Sequence, residues 1–198
     1  MIALSRRQVT PAEISPPGQF ARERAARRAA LLPRKKARRI EVGPYCTFYF
    51  ECFDTMLFQI EEMLHIEGGG GEQLQDELAA YNPLIPNGDE LTATIMFEID
   101  DPDRRACALA GLGGVEACFF IQVGDERISG VQETDAERTR DDGKASSVHF
   151  AHFHFTPKHK RAFIEPEARV FAGVDHSAYA HMAQLTRDTR VELAKDFT

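Results

Sequence analysis

The chain has 198 residues, of which 43% are hydrophobic and 28% are charged, and its net charge is −7. These values are typical of a globular protein and exclude a disordered chain, and no apolar run approaches the length of a bilayer-spanning helix. The N-terminus lacks the apolar stretch of a secretory signal, so we expect a cytoplasmic protein. The length favours one domain, residues 19–198, preceded by an N-terminal arm, residues 1–18.

The predicted elements begin with Thr10–Glu13, which has the form of a capping box with proline at the first helical position. Residues 19–32 are rich in good helix formers and predict a helix that Pro33 ends. The apolar stripe in 53–67 predicts an amphipathic helix that the glycines of 68–71 end. The other elements of this half are a hairpin of strands 38–42 and 45–52 around Gly43–Pro44, a helix over 72–80, a turn-rich loop over 81–88, a strand over 91–99 and a helix from 101 to about 112.

The second half of the chain carries the strongest strand signals. Residues 117–123 and 127–133 flank a short polar turn and predict a hairpin. Strands joined by short turns, with helices between them, indicate an α+β fold. We therefore expect a single domain with a mainly antiparallel sheet of about five or six strands, covered by helices. The remaining predicted elements are a turn at 141–144, a strand over 145–155, a helix starting near Pro157, a strand over 168–174 and a closing helix over 183–195.

Histidines on the predicted strand 145–155 are the candidate metal ligands. His152 and His154 lie two residues apart and therefore project to the same side, whereas His149 projects to the other side. Imidazole is a common ligand of transition metals, so these three, together with His176, form the candidate site. Glu133, Asp135 and His181 are possible further ligands. The alternative is a solvent-facing sheet surface that carries polar rings.

A basic segment between Arg22 and Arg39 contains nine Arg and Lys residues against one Glu, which leaves 15 basic and 30 acidic residues in the rest of the chain. Clustered basic residues can bind the phosphates of nucleic acids. They can instead pair with acidic residues of the same chain or with a partner protein, and this reading is favoured because the body is acidic. The candidate partner-binding residues are Arg34, Lys35, Lys36, Arg38 and Arg39, and the candidate intramolecular partners are Glu51, Glu61, Glu62 and Glu67.

Other motifs give little support for a reaction. Glu62 and His65 have the Glu-x-x-His spacing of di-iron bundles, but the motif occurs once. Asp175-His176-Ser177 lacks the Gly-x-Ser-x-Gly elbow, so Asp175 and Ser177 are interpreted as turn and cap residues before a short helix. The four cysteines show no zinc-site spacing and are expected to be small core residues. No catalytic residues are assigned, and enzymatic activity is left open.

Short motifs are spread over nearly the whole chain from about Thr10, namely 35–39 with Gly43-Pro44, Phe50-Glu51, 59–67, 81–88, 93–96, 146–150 and 173–179. Together they resemble a bacterial family catalogued as domain of unknown function 3501. The resemblance implies no reaction. It implies a redox or oxidative-stress context, because members are encoded near rubrerythrin-like and iron-sulfur proteins. His65 departs from the family pattern, which has Arg there, and His152 and His154 are not expected in typical members.

Three functions follow as hypotheses from the motifs and the resemblance. The first is an accessory or binding protein that works with a redox protein partner. The second is a metal-binding protein or metal-dependent redox enzyme that uses the strand histidines and a transition metal. The third, weaker, is nucleic-acid binding through the basic segment.

Overall fold

The computed structural model describes residues 6–68, 71–132 and 145–197. Within these residues the chain forms six α-helices and nine strands, and the predicted α+β class is confirmed. The helices are α1 (Pro17–Ala37), α2 (Phe53–Glu67), α3 (Gly71–Tyr81), α4 (Pro102–Ala110), α5 (Pro157–Ile164) and α6 (Arg187–Leu193). The strands are β1 (Arg39–Val42), β2 (Cys46–Phe50), β3 (Glu90–Phe97), β4 (Phe119–Val123), β5 (Glu126–Ser129), β6 (Val131–Gln132), β7 (Val148–His154), β8 (Val170–His176) and β9 (Tyr179–Gln184).

The strands form two antiparallel sheets, one of five strands in the order β1-β2-β3-β7-β6 and one of four in the order β5-β4-β8-β9. Gly130 separates β5 from β6, so the chain passes there from one sheet to the other. At the other side of the molecule, β1 of the first sheet contacts β9 of the second. The main core is shared by residues of both sheets, including Phe48, Phe153 and Phe119.

Tyr179 joins the two sheets through hydrogen bonds. Its hydroxyl donates to the Val42 carbonyl oxygen at 2.6 Å and accepts from the Cys46 N–H at 3.1 Å. The turn between β1 and β2 passes close to this ring, because a Cβ atom built on Gly43 would lie 2.6 Å from the Tyr179 hydroxyl oxygen. Gly43 also has a φ of 74°, a region that glycine adopts without a steric penalty. The turn therefore requires glycine for both conformation and space.

A second apolar cluster includes residues of α2 and α3. Phe53, Met56 and Ile60 recur along one side of α2 and are buried, as the amphipathic pattern predicts. Phe150 of β7 packs against this cluster from the face of the five-stranded sheet opposite to the main core. The N-terminal arm contributes Val9, which is buried there and exchanges main-chain hydrogen bonds with the Asn82 side chain at 2.8 and 3.0 Å.

The first helix differs from the prediction, because Pro33 does not end it and α1 continues to Ala37. A proline inside a helix removes one hydrogen bond and crowds the preceding turn, but tertiary contacts can outweigh that cost. Here residues before and after Pro33 form ion pairs with α2, namely Arg27 with Glu61 and Arg34 with Asp54. The prediction that the helix ends at Pro33 is wrong for this reason.

The C-terminal region also differs from the prediction. Residues Tyr179–Gln184 form a strand, and the closing helix begins only at Arg187, where the Thr186 side chain accepts a hydrogen bond from the Thr189 N–H. Asp175 belongs to β8, and Ser177 lies in the turn of the β8–β9 hairpin, so neither caps a helix. The predicted turn at 141–144 lies outside the described residues. Within the described part of the chain, no helix has the length and apolar composition to span a membrane.

Candidate functional site

The strand histidines lie on the two faces of the sheet that their positions along the strand predict. His149 is buried in the main core, where its ring packs edge-on against Phe97 and Phe119 and its Nε2 lies 2.9 Å from the Ser146 carbonyl oxygen. His152 and His154 project from the opposite face with nearly parallel rings, whose centroids are 6.3 Å apart. The structure therefore separates His149 from the other two.

Glu90 lies between the two outer histidines. Its Oε2 atom is 3.1 Å from Nδ1 of His152 and 3.3 Å from Nδ1 of His154. Glu90 is buried, whereas the His154 side chain is mostly exposed. The contact between Glu90 and His152 is a hydrogen bond, and His154 lies at ion-pair distance from the same oxygen.

The remaining histidines lie apart from this group. His176 is at the end of β8, in the other sheet, with its Nε2 3.2 Å from the Gly113 carbonyl oxygen. His181 packs against Tyr179, and His159 contacts Glu126 at 2.8 Å. Across residues 6–68, 71–132 and 145–197, no three His, Cys, Asp or Glu side chains form a group that could hold a metal ion. The possible ligands Glu133 and Asp135 lie outside these ranges.

The basic segment forms ion pairs with acidic residues of the same chain. Arg24 Nε donates to both carboxylate oxygens of Glu62, at 3.0 and 2.8 Å. Arg27 Nη1 contacts both oxygens of Glu61, at 3.1 and 2.9 Å. Glu62 therefore forms an ion pair with Arg24. His65, one helical turn further along α2, packs against Phe20. Of the four acidic partners suggested by the sequence, Glu61 and Glu62 take this role.

Arg38 is the most deeply buried member of the basic segment. Its guanidinium donates to the main-chain carbonyl oxygens of Phe50 and Glu51, at 2.9 and 2.7 Å, and to the Asp196 carboxylate. Burial opposes the charge on Arg38, but the nearby acidic groups, led by the Asp196 carboxylate, together raise the pKa of Arg38. Burial also raises the pKa of Asp196 to about 6, against the attraction of Arg38. Arg38 thus contacts the protein interior, whereas the predicted partner-binding residues Lys35, Lys36 and Arg39 are exposed.

A groove of about 620 Å³ runs between α1 and α2. Its charged lining residues are paired with one another: Arg27 with Glu61, and Arg34 with Asp54 and Glu192. Because these charges are compensated within the chain, the groove presents no charged group that requires a ligand.

A second concave site, here called the sheet cleft, lies between the outer face of the five-stranded sheet and α2, with a volume of about 380 Å³. Strands β2, β3 and β7 supply its floor, and α2 and the end of α3 supply its wall. Three aromatic rings and two methionines make the lining predominantly apolar. The lining residues are Lys35, Tyr49, Glu51, Met56, Gln59, Tyr81, Leu84, Thr94, Met96, Val148 and Phe150.

Glu51 is the buried charged residue of the sheet cleft, with 8% of its surface exposed. It follows β2 directly, and its main-chain N–H donates to the Thr92 carbonyl oxygen at 2.9 Å, which fixes it beside β3. Its Oε1 atom accepts a hydrogen bond of 2.7 Å from Thr94 Oγ1. Among the described residues, no basic side chain forms an ion pair with this carboxylate, because Arg38 contacts Glu51 through the carbonyl oxygen.

The other polar groups of the sheet cleft are weakly engaged. Gln59 Nε2 approaches the Tyr81 hydroxyl at 3.5 Å, the upper limit for a hydrogen bond. Lys35 is exposed at the rim and forms no ion pair with a described residue. The arrangement therefore combines a buried acceptor, apolar walls and an exposed cation, which are the features of a small-molecule site.

Sequence reasoning did not assign Glu51 to a binding site and considered it only as a partner of the basic segment. A signal was present in Phe50-Glu51-Cys52-Phe53, where one carboxylate interrupts an apolar run. The other cleft residues lie on three strands and on the helical segments that cover them, so the antiparallel pairing of β2, β3 and β7 and the packing of those segments are both needed to bring them together.

Comparisons with known proteins agree with the fold. The model of a family described as "Protein of unknown function (DUF3501)" matches residues 8–197. A crystal structure described as a novel protein of unknown function from Burkholderia pseudomallei K96243 superposes with a TM-score of 0.88 at 32% sequence identity. That match covers 96% of this chain and 100% of the other. No curated protein matches the chain.

Proposed function

We propose that this chain, which belongs to the DUF3501 family of proteins of unknown function, is a binding protein that holds a small molecule in the sheet cleft. The observation that carries the proposal is Glu51. Burying a carboxylate is unfavourable unless hydrogen bonds or an opposite charge compensate it, and Thr94 supplies one hydrogen bond. A ligand in the cleft would supply the missing donors.

The size and lining of the sheet cleft support the proposal. Small-molecule sites are usually 300–1,000 Å³ in volume, mostly apolar, with a few polar groups that fix orientation. The cleft, at about 380 Å³, has this character. Its rigid floor consists of three hydrogen-bonded strands, which would hold the lining side chains in place before a ligand arrives.

Methionine methyl resonances provide the test, because Met56 and Met96 line the cleft and Met182 lies exposed on β9. The full chain, labelled at its methionine methyls, would be titrated with a library of small molecules of varied charge. We expect binding molecules to shift the Met56 and Met96 signals and to leave Met182 unchanged.

A Val148→Phe variant serves as the blocking control, because the larger ring would occupy the cleft while the residue stays apolar. We expect it to keep the Met182 signal of the wild type and to lose the ligand-induced shifts. If no molecule of any charge shifts the Met56 or Met96 signals of the wild type, the proposed function is wrong.

An accessory role beside a redox protein partner is a second, more specific proposal, and it is compatible with small-molecule binding in the sheet cleft. The exposed residues Lys35, Lys36 and Arg39 are the members of the basic segment that a partner could reach. Recovery of a specific partner from native extract, lost when Lys35 and Lys36 are changed to Glu, would support it. Recovery of no specific partner would argue against it.

Metal binding and nucleic-acid binding stay predictions of the sequence. For metal, Glu90 beside His152 and His154 offers ligand types that metals use. For nucleic acid, several arginines of the basic segment are already paired within the chain, which reduces the charge available to phosphates. Salt-sensitive retention on a nucleic-acid column would support the second prediction.

A further inference from the structure

We propose that the ligand of the sheet cleft is an organic cation, with an ammonium or amidinium group at Glu51 and an apolar body against the surrounding rings. This inference rests on the proposed function, and it specifies the chemical class of the ligand.

The carboxylate determines the charge of the ligand. Glu51 is more than nine-tenths buried, and Thr94 Oγ1 is the one side-chain donor that it has among the described residues. A carboxylate can accept several hydrogen bonds on its two oxygens, so the second oxygen has unused capacity. Hydrogen bonds between ionised groups are roughly twice as strong as neutral ones, and a cationic donor also compensates the buried charge.

The walls of the cleft determine the body of the ligand. Tyr49, Tyr81 and Phe150 present aromatic rings, and Met56 and Met96 present polarisable thioethers. Aromatic faces attract organic cations, and methionine adapts to irregular apolar shapes. Gln59 and the Tyr81 hydroxyl add neutral groups that can accept further hydrogen bonds from an ammonium group.

Lys35 is the feature of the cleft that would favour an anion. It is exposed on α1, so water and salt screen its charge, and its long side chain can turn its ammonium group away from the rim. Glu51 is mostly buried, so its charge is screened less than that of the exposed Lys35. The buried carboxylate therefore dominates the selection of charge.

Three probes with one aromatic body test the inference: phenethylamine, which is cationic, 2-phenylethanol, which is neutral, and phenylacetate, which is anionic. Each is titrated into the wild-type chain by calorimetry, with the Met56 and Met96 methyl signals reporting the place of binding. We expect phenethylamine to bind at least about 10-fold more tightly than 2-phenylethanol, and phenylacetate to bind most weakly. This comparison needs no variant, so it decides the inference even if a substitution prevents folding.

A Glu51→Gln variant then identifies the source of the selectivity, and Glu72→Gln, at an exposed position of α3, is the matched control. We expect Glu51→Gln to remove the preference for the amine, and Glu72→Gln to keep it. Tightest binding of phenylacetate, or binding of neutral library molecules while phenethylamine fails, would overturn the cationic class and leave the proposed function standing. An amine preference that survives in Glu51→Gln would also overturn it.

Discussion

The Tyr179 hydroxyl donates a 2.6 Å hydrogen bond to the Val42 carbonyl oxygen, which ties the four-stranded sheet to the five-stranded sheet. The same hydroxyl accepts from the N–H groups of Cys46 and Tyr45, at 3.1 and 3.3 Å, so it serves three main-chain groups of the β1–β2 hairpin. Burial raises the pKa of Tyr179 to about 12, so the proton that it donates is retained at any ordinary pH.

We expect Tyr179→Phe to lower the free energy of unfolding by about 1–3 kcal/mol, because it leaves buried main-chain groups without a partner. Urea unfolding measures the effect. The matched control is Tyr49→Phe, whose hydroxyl donates to Glu98 at the surface and should matter less. Equal losses in the two variants would contradict the role of Tyr179 between the sheets.

Arg38→Met should destabilise the chain by about 3–5 kcal/mol, because the buried Asp196 and the carbonyl oxygens of Phe50 and Glu51 would lose their donor. Arg24→Met breaks a partly exposed pair with Glu62 and should reduce stability by about 1 kcal/mol or less. Chemical denaturation of both variants checks the contrast. If Arg38→Met loses no more unfolding free energy than Arg24→Met, the prediction is wrong.

The raised pKa of Asp196 predicts a pH dependence of stability. Between about 3.9, the ordinary pKa of aspartate, and about 6, the folded chain holds a proton that the unfolded chain releases. Relative to Asp196→Asn, the wild type should therefore lose about 3 kcal/mol of stability as the pH rises from about 4 to 6, and no more above that. If the difference in unfolding free energy between the two chains stays constant as the pH rises, or changes in favour of the wild type, the Asp196 pKa is not raised.

Pro33→Ala should stabilise the chain by about 2 kcal/mol. Alanine is favoured over proline in a helix interior by about 3 kcal/mol, and the greater freedom of alanine in the unfolded chain offsets part of this gain. Pro16→Ala, just before α1, is the control and should have a small effect. Thermal unfolding of both variants gives the measurement, and a destabilised Pro33→Ala would mean that the proline ring itself is needed for packing.

Elemental analysis of protein purified without chelator tests the strand histidines. If Glu90, His152 and His154 hold a metal ion, we expect a near-stoichiometric transition metal in the wild type that is lost from His152→Ala/His154→Ala. The melting temperature of the metal-free wild type should then rise when Zn²⁺ is added, and that of the double variant should not. Absence of metal from both chains, with no response to Zn²⁺ in either, would contradict the metal-centre prediction.

The sequence predicted those elements whose burial pattern is regular. The apolar stripe of α2 gave its observed bounds, Phe53–Glu67, and the two-residue period of β7 placed His149 opposite to His152. The strand β9 was missed because its residues 180–184 are largely exposed and lack alternation between apolar and polar positions. The division into two sheets depends on Gly130, whose role is visible only once both neighbouring strands are paired.

The sheet cleft could not be predicted in the same way, because pairing between distant strands creates it. Thr94 and Glu51 are 43 positions apart in the sequence, and the pairing of β2 with β3 brings them together. The single charged residue in the run Phe50–Phe53, Glu51, marked an unusual position, but the sequence did not show which residues surround it.

The passage from β5 through Gly130 into β6, together with the contact of β1 with β9, places the margins of the two sheets next to each other. Exposed strand edges invite pairing with another chain, which leads to aggregates. Within the described residues, the margins of the two sheets adjoin each other on both sides. Substitutions that separate these margins should therefore cause the protein to precipitate before they weaken ligand binding.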